Sequence, residues 1–194
     1  ADRWEELRAR VAALGSTLAD EETRVRAELD GVFAQVRNRE IELVFSEEGD
    51  DSLPEAVEQQ VGTLRGRWSI DACLARLKDD KEEEAVRAVA ALLLAHYGAR
   101  EEGVLAVLRE GLAPGTPATV LVACAEALGA LGDAGAVPLL LARLVDAIPG
   151  DQEEEDPFLP SIGPNAMGGT PGIPITHRLG AAIAGYGPSV ASEV

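Results

Sequence analysis

The stretch from Ala127 to Leu144, ALGALGDAGAVPLLLARL, constrains the fold more than any other part of the chain. It contains a helix that must stop and a second helix that must start almost at once. Gly132 ends the first, because glycine alone enters the left-handed conformation of a helix C-cap without a Cβ penalty. Asp133 or Gly135 can cap the second helix. Pro138 then falls in the first turn of that helix, where the N–H it lacks would have no intrahelical partner. Gly129 and Ala130 are small enough to let neighbouring helices approach closely. The stretch is a tight joint between two antiparallel helices.

The same arrangement recurs upstream. The spacing predicts a helix over 69–78, with Ser69 as N-cap and Ile70, Cys73, Leu74 and Leu77 on one face. A second helix is predicted over 80–97, with Glu82, Glu83 and Glu84 in a first turn that suits the helix dipole. Its stripe is Val86, Val89, Ala90, Leu93, Leu94 and Tyr97, and Gly98 stops it. A third covers 100–112 with Val104, Leu105 and Leu108 inward. APGTP (113–117) then sets Thr116 as N-cap and Pro117 at the first position of a fourth helix, which runs to Leu131 through Val120, Leu121, Cys124 and Leu128. Helix pairs repeating every ~30–35 residues are the signature of a helical solenoid.

ALGALGDAGAVPLLLARL resembles the repeat junction of HEAT repeats, in particular the short bacterial type named after phycobilisome lyases. There a helix ending A-L-G-x-L-G-D is followed by A-V-P-x-L-x-x-x-L. SIDACLARLKDD (69–80) and EEGVLAVLREGL (101–112) match more loosely. The resemblance covers roughly 69–148 and resumes over 175–194. It implies an all-α, right-handed α-solenoid of HEAT-like helix pairs, a fold that mostly serves as a protein-binding scaffold and occasionally as an enzyme. Deoxyhypusine hydroxylases of similar fold carry His-Glu pairs for iron, and neither His96 nor His177 is followed by Glu. HEAT-like DNA glycosylases present a basic, aromatic groove. A chromophore lyase has no compact motif to search for and stands as the alternative function.

Composition agrees with closely packed helices: aromatic residues make up only 4% of the chain, so the core must come from Ala, Leu and Val. The net charge of −17 is spread along the whole length. Nucleic-acid binding depends on neutralising phosphates with Lys and Arg, so no nucleic acid is expected as a ligand, nor an anionic membrane surface. A basic or neutral protein is the expected partner. The longest apolar run, AVAALLLA (88–95), is too short to span a bilayer, and no membrane insertion is expected. Cys73 and Cys124, the only cysteines, sit at helical spacing among apolar residues, as small core side chains in a reducing, cytoplasmic setting do. No catalytic motif is present, and neither a cofactor nor a metal is expected. DQEEED (151–156) lacks the alternate spacing and glycine of a calcium loop.

The third helix pair is interrupted. A helix over 136–147 (Val137, Leu140, Leu141, Leu144, Val145) should meet its partner after a few residues, yet that partner reads as 175–186, with Ile175, Leu179, Ala182, Ile183 and Tyr186 on one face. Between them lies a long loop, 149–174, whereas helix–helix connections usually take ~2–8 residues. Its acidic start is followed by Phe158, Leu159, Ile162 and Met167 among prolines and glycines. Two readings stand: a segment that folds against the repeat edge or a partner, and a spacer that touches nothing. MGGTPGIPIT (167–176) leads into a helix start flanked by His177 and Arg178, where backbone N–H groups can hold an anion. No phosphate-loop lysine accompanies it. Phe158, Leu159, Ile162, Met167, His177 and Arg178 are therefore the candidates for partner contact. GPS (187–189) opens what reads as another repeat, so the chain is expected to be an excerpt of a longer protein.

Residues 1–68 form a different, N-terminal helical segment preceding the repeats of 69–194. Trp4, Val11, Leu18, Val25 and Val32 recur by sevens with Leu7 and Leu14 between them, until Glu21, Glu28 and Gln35 fill that second position. Leu29, Phe33 and Val36 widen the stripe, and Gly15 and Ser16 predict a break into two helices. Ser52 and Glu55 form a capping-box pattern opening a helix that bears Val57, Val61, Leu64 and Trp68. The segment reads as a cap on the first repeat, as a coiled-coil seam for a homodimer, or as an independent domain.

Overall fold

The computed structural model describes residues 2–41, 53–147, 179–180 and 183. Among them every regular element is helical: α1 (Asp2–Arg37), α2 (Glu55–Val61), α3 (Arg67–Lys78), α4 (Glu84–His96), α5 (Glu102–Glu110), α6 (Ala118–Leu131), a 3₁₀ turn (Ala134–Ala136) and α7 (Val137–Ala147). The core is centred on α4 and α6, which pack on each other, with α3 covering α4 and α5 covering α6. Both helices are buried nearly all round, Ala88, Ala91, Leu94, Ala123, Cys124, Ala127 and Leu128 among them. Small side chains alternating with leucine let the two helices come close without voids.

The joint forms as its residues dictate. Gly132 takes φ +70° and ends α6, and the Asp133 side chain accepts the Gly135 N–H across the adjoining turn. Pro138 is the second residue of α7. Gly98, just past the end of α4, has φ +68°. Gly111 answers to sterics instead: a Cβ there would collide with Cys124 Sγ, so α5 ends where it can lie directly on α6.

Several predicted starts move. α3 begins at Arg67, after Gly66, and Ser69 lies inside its first turn with the hydroxyl donating to the Leu64 carbonyl. α4 begins at Glu84, leaving Glu82 outside the helix. α6 begins at Ala118 with Pro117 at the cap position and no side-chain cap, so Thr116 does not serve as N-cap. α2 follows Pro54 rather than Ser52, and it ends at Val61. Trp68 consequently belongs to α3. At α2 and α6 a proline with its fixed φ takes the cap position.

The largest correction concerns the N-terminus. Gly15 and Ser16 do not break the helix; α1 runs unbroken for 36 residues. Within a helix, glycine costs only ~1 kcal/mol relative to alanine, too little to end one whose neighbours are Ala12, Ala13, Leu14 and Leu18. Only the second half of α1 is covered. Val25, Leu29, Val32, Phe33 and Val36 are buried against α2, α3 and α4, while Trp4, Leu7, Val11, Leu14 and Leu18 stand in solvent. Leu179 is buried and Ile183 half-buried against the same core, where the predicted 175–186 helix would return.

One helix therefore holds both extremes of burial. Leu29→Ala should destabilise the protein by about 2–5 kcal/mol through transfer and cavity terms, whereas Leu14→Ala should stay within about 0.5 kcal/mol. Urea denaturation of the two variants measures both.

Candidate interaction surfaces

Three polar ties fix the relative positions of the helices, and they also show which surfaces remain available. The first surrounds Glu82, in the short link between α3 and α4. Its carboxylate is 6% exposed and accepts from Arg37 of α1 at 2.7 Å and from Arg76 of α3 at 2.8 Å. Arg76 reaches on to Asp30 at 2.7 Å and lies over the Phe33 ring at 5.8 Å from its centroid. Burial alone would raise the Glu82 pKa, but the hydrogen bonds from Arg37, Arg76 and the Glu83 N–H outweigh it and hold the carboxyl below its ordinary 4.5. Its bond to Asp30, aided by Glu82, raises the Arg76 pKa. The residue expected to serve the α4 dipole instead clamps α1 onto the first helix pair.

The second tie lies at the joint. Arg109 of α5 makes a bidentate pair with Asp133, at 2.7 and 2.6 Å, and a further contact with Glu102 at 2.7 Å. Asp133 thus accepts from the turn backbone and from the guanidinium together. Arg143 of α7 donates to the Leu112 carbonyl just beyond α5 at 2.5 Å, as Arg87 of α4 donates to the Leu77 carbonyl in α3 at 3.2 Å. Each arginine occupies the carbonyl-rich end of a neighbouring helix, where a cation is favoured.

The third tie holds α2. Tyr97 donates its hydroxyl to the Val61 carbonyl at 2.9 Å, and His96 Nε2 donates to the Gly62 carbonyl at 3.2 Å. The two rings meet edge to face at 5.9 Å. Burial raises the Tyr97 pKa. Beside His96 is an open recess of about 240 Å³, lined by Leu53, Glu58, Leu92, Ala95, Glu126 and Ala127 among others. Its walls are mostly apolar, with two carboxylates and the imidazole, and no group of three potential metal ligands occurs among the described residues.

Cys73 and Cys124 are buried and unpaired with each other, and burial pushes both thiols up to about 12. Thiols of that kind are not nucleophiles at neutral pH.

The residues singled out for partner contact, Phe158, Leu159, Ile162, Met167, His177 and Arg178, lie outside the described residues, as does DQEEED. The described surface offers two apolar areas instead. One is α7, where Leu139 is exposed on one side and Leu141 and Val145 on another, although periodicity predicts Leu141 and Val145 to face inward. Leu141 and Val145, four residues apart, share a face. The other is the first half of α1. No helix among the described residues is long and apolar enough to cross a membrane. Comparison with protein-family models, with curated proteins and with solved structures returns no match to the chain.

The Glu82 clamp has a pH signature. Because its folded pKa is depressed, its stabilisation is fully present above pH 4.5, the ordinary value, and disappears as pH falls through the lower folded value. Glu82→Gln should cost about 1.5–3 kcal/mol at pH 7, the worth of charged hydrogen bonds, and should lose less stability than wild type on further acidification. Denaturation midpoints across a descending pH series check both. The thiols give a second test: Ellman's reagent should leave Cys73 and Cys124 unmodified at pH 8 in the folded protein and titrate both in urea.

Proposed function

We propose that the chain is a non-catalytic protein-interaction module, built as a right-handed solenoid of HEAT-like helix pairs behind an N-terminal helical cap. The observation that carries the reading is how the helices associate. α4 lies against α6 and α3 against α5, so successive pairs stack in two layers. Arg109–Asp133 and Arg143–Leu112 continue the outer layer from α5 to α7. Stacked pairs of this kind present long exposed edges, suited to holding another protein. The predicted 175–186 helix would be the next in the stack, and Leu179 within it is buried against the same core.

The acidic composition supports a basic or neutral protein as partner for the repeat surface, through electrostatic steering that speeds encounter. The 149–174 loop, with Phe158, Leu159, Ile162 and Met167, would contribute apolar contacts at the repeat edge, with His177 and Arg178 beside it. Buried, unreactive thiols speak against nucleophilic cysteine chemistry on this scaffold.

The test compares wild type with a 149–174 deletion. Affinity capture from native extract should retain a protein with wild type, at low salt more than at high salt, and lose it with the deletion. Native mass spectrometry of the purified chain should show no stoichiometric small molecule. A bound chromophore, metal or metabolite would favour a chromophore-lyase or other enzymatic role and overturn the binding module.

A further inference from the structure

The first half of α1 carries an apolar line that nothing in the described structure covers. Trp4 is 72% exposed, Val11 67% and Leu14 63%, with Leu7 and Leu18 also in solvent. These five residues follow the alternating three- and four-residue steps of a coiled-coil seam, with Trp4, Val11 and Leu18 at one core position and Leu7 and Leu14 at the other. Val25 and Val32 continue the same line and are buried against the body. The exposed seam is therefore a direct extension of a packed one. A stripe two residues wide per heptad suits a single partner helix, being narrower than the face a helix lays on a globular core.

The residues flanking the seam decide which helix. Between residues 3 and 17 the flanking positions are Arg3, Arg8, Arg10, Gly15 and Thr17, with no carboxylate among them. The acidic residues Glu5, Glu6 and Asp20 occupy the outer side, away from the seam. Glu6 draws Arg10 towards that side in an exposed pair at 3.1 Å, an interaction weak enough to be exchanged for a partner's carboxylate. In a chain of net charge −17 this is a local concentration of positive charge beside an apolar line. A second copy does not answer it. Paired in parallel, Arg3 meets Arg8 of the other copy; paired antiparallel, the flanks set arginine against arginine, glycine or threonine. The lipid alternative is disfavoured by the carboxylates on the same half-helix, which leave it with no net positive charge for an anionic surface.

We propose that residues 3–18 of α1 bind an amphipathic helix of a different protein, one with a heptad apolar seam and Glu or Asp at its flanking positions. The site is separate from the repeat surface and does not depend on what that surface binds.

The probe is a three-heptad peptide with Ile and Leu in the seam and Glu at every flanking position, compared with its twin carrying Lys there. Like charges keep each peptide from pairing with itself. Titration into the intact chain, monitored by anisotropy of the labelled peptide, should show the Glu peptide binding at least about tenfold tighter than the Lys peptide, with the difference shrinking at high salt. Leu7→Asp/Leu14→Asp should weaken that binding by about tenfold or more without moving the unfolding midpoint, since both side chains are exposed. Arg3→Glu/Arg8→Glu/Arg10→Glu should reverse the preference between peptides. Equal binding of the two peptides, or binding of neither, overturns the proposal. So does sedimentation of the chain as a dimer that Leu7→Asp/Leu14→Asp dissolves, which would make a second copy the occupant. Co-sedimentation with phosphatidylserine vesicles, lost in the same variant, would assign the stripe to lipid and overturn it equally.

Discussion

The contact between α4 and α6 is the one on which the other helices are assembled. Its alanines remove side-chain bulk from the seam, and the leucines beside them fill the space on either side. Such packing leaves little slack: one added methylene has nowhere to go, and one removed leaves a void. The end of α5 lies directly on α6 because its contact point, Gly111 beside Cys124, carries no side chain. The polar ties then act as fasteners on an already apolar assembly, each joining a link or helix end to a helix distant in sequence.

Those fasteners explain what could and could not be read from the sequence. The joint was legible because its determinants are local: Gly132, Asp133 and Pro138 constrain the backbone within a few residues of themselves. Apolar periodicity identified only part of the burial of α4 and α6: Ala88, Ala91, Leu92, Ala123 and Ala127 are buried outside the predicted stripes. Arg109–Asp133 was not legible, since the partners lie 24 positions apart and neither residue type announces the other. Glu82 is more instructive. Acidic residues ahead of a helix have a familiar local use, and that use concealed a long-range one with Arg37 and Arg76. Helix starts were misplaced where a hydroxyl resembled a cap and a neighbouring proline took the cap position instead.

The unbroken α1 shows the same contest between local and distant causes. Gly15 weakens the helix there, but the residues on both sides favour it and the second half is anchored by the core. The sequence did supply the heptad line, and left open whether it belonged to a cap, a seam or an independent domain. In the structure the line is buried against α2, α3 and α4 from Val25 onward, and before that it faces solvent. The charge placement around the exposed part could have been read from the heptad alone, had the flanking positions been written out beside the core ones.

A helix of 36 residues spans about 54 Å at 1.5 Å per residue, and only one end of this one is tied down. Anything docked on the exposed half is held at a set distance and angle from the other helices, as on a rigid arm. A second contact between that molecule and the helix pairs would then be an intramolecular event. Its strength would depend on whether the geometry matches the arm's length, far more than on the intrinsic affinity of either contact. Two weak sites on one rigid support can thereby discriminate between ligands by their dimensions.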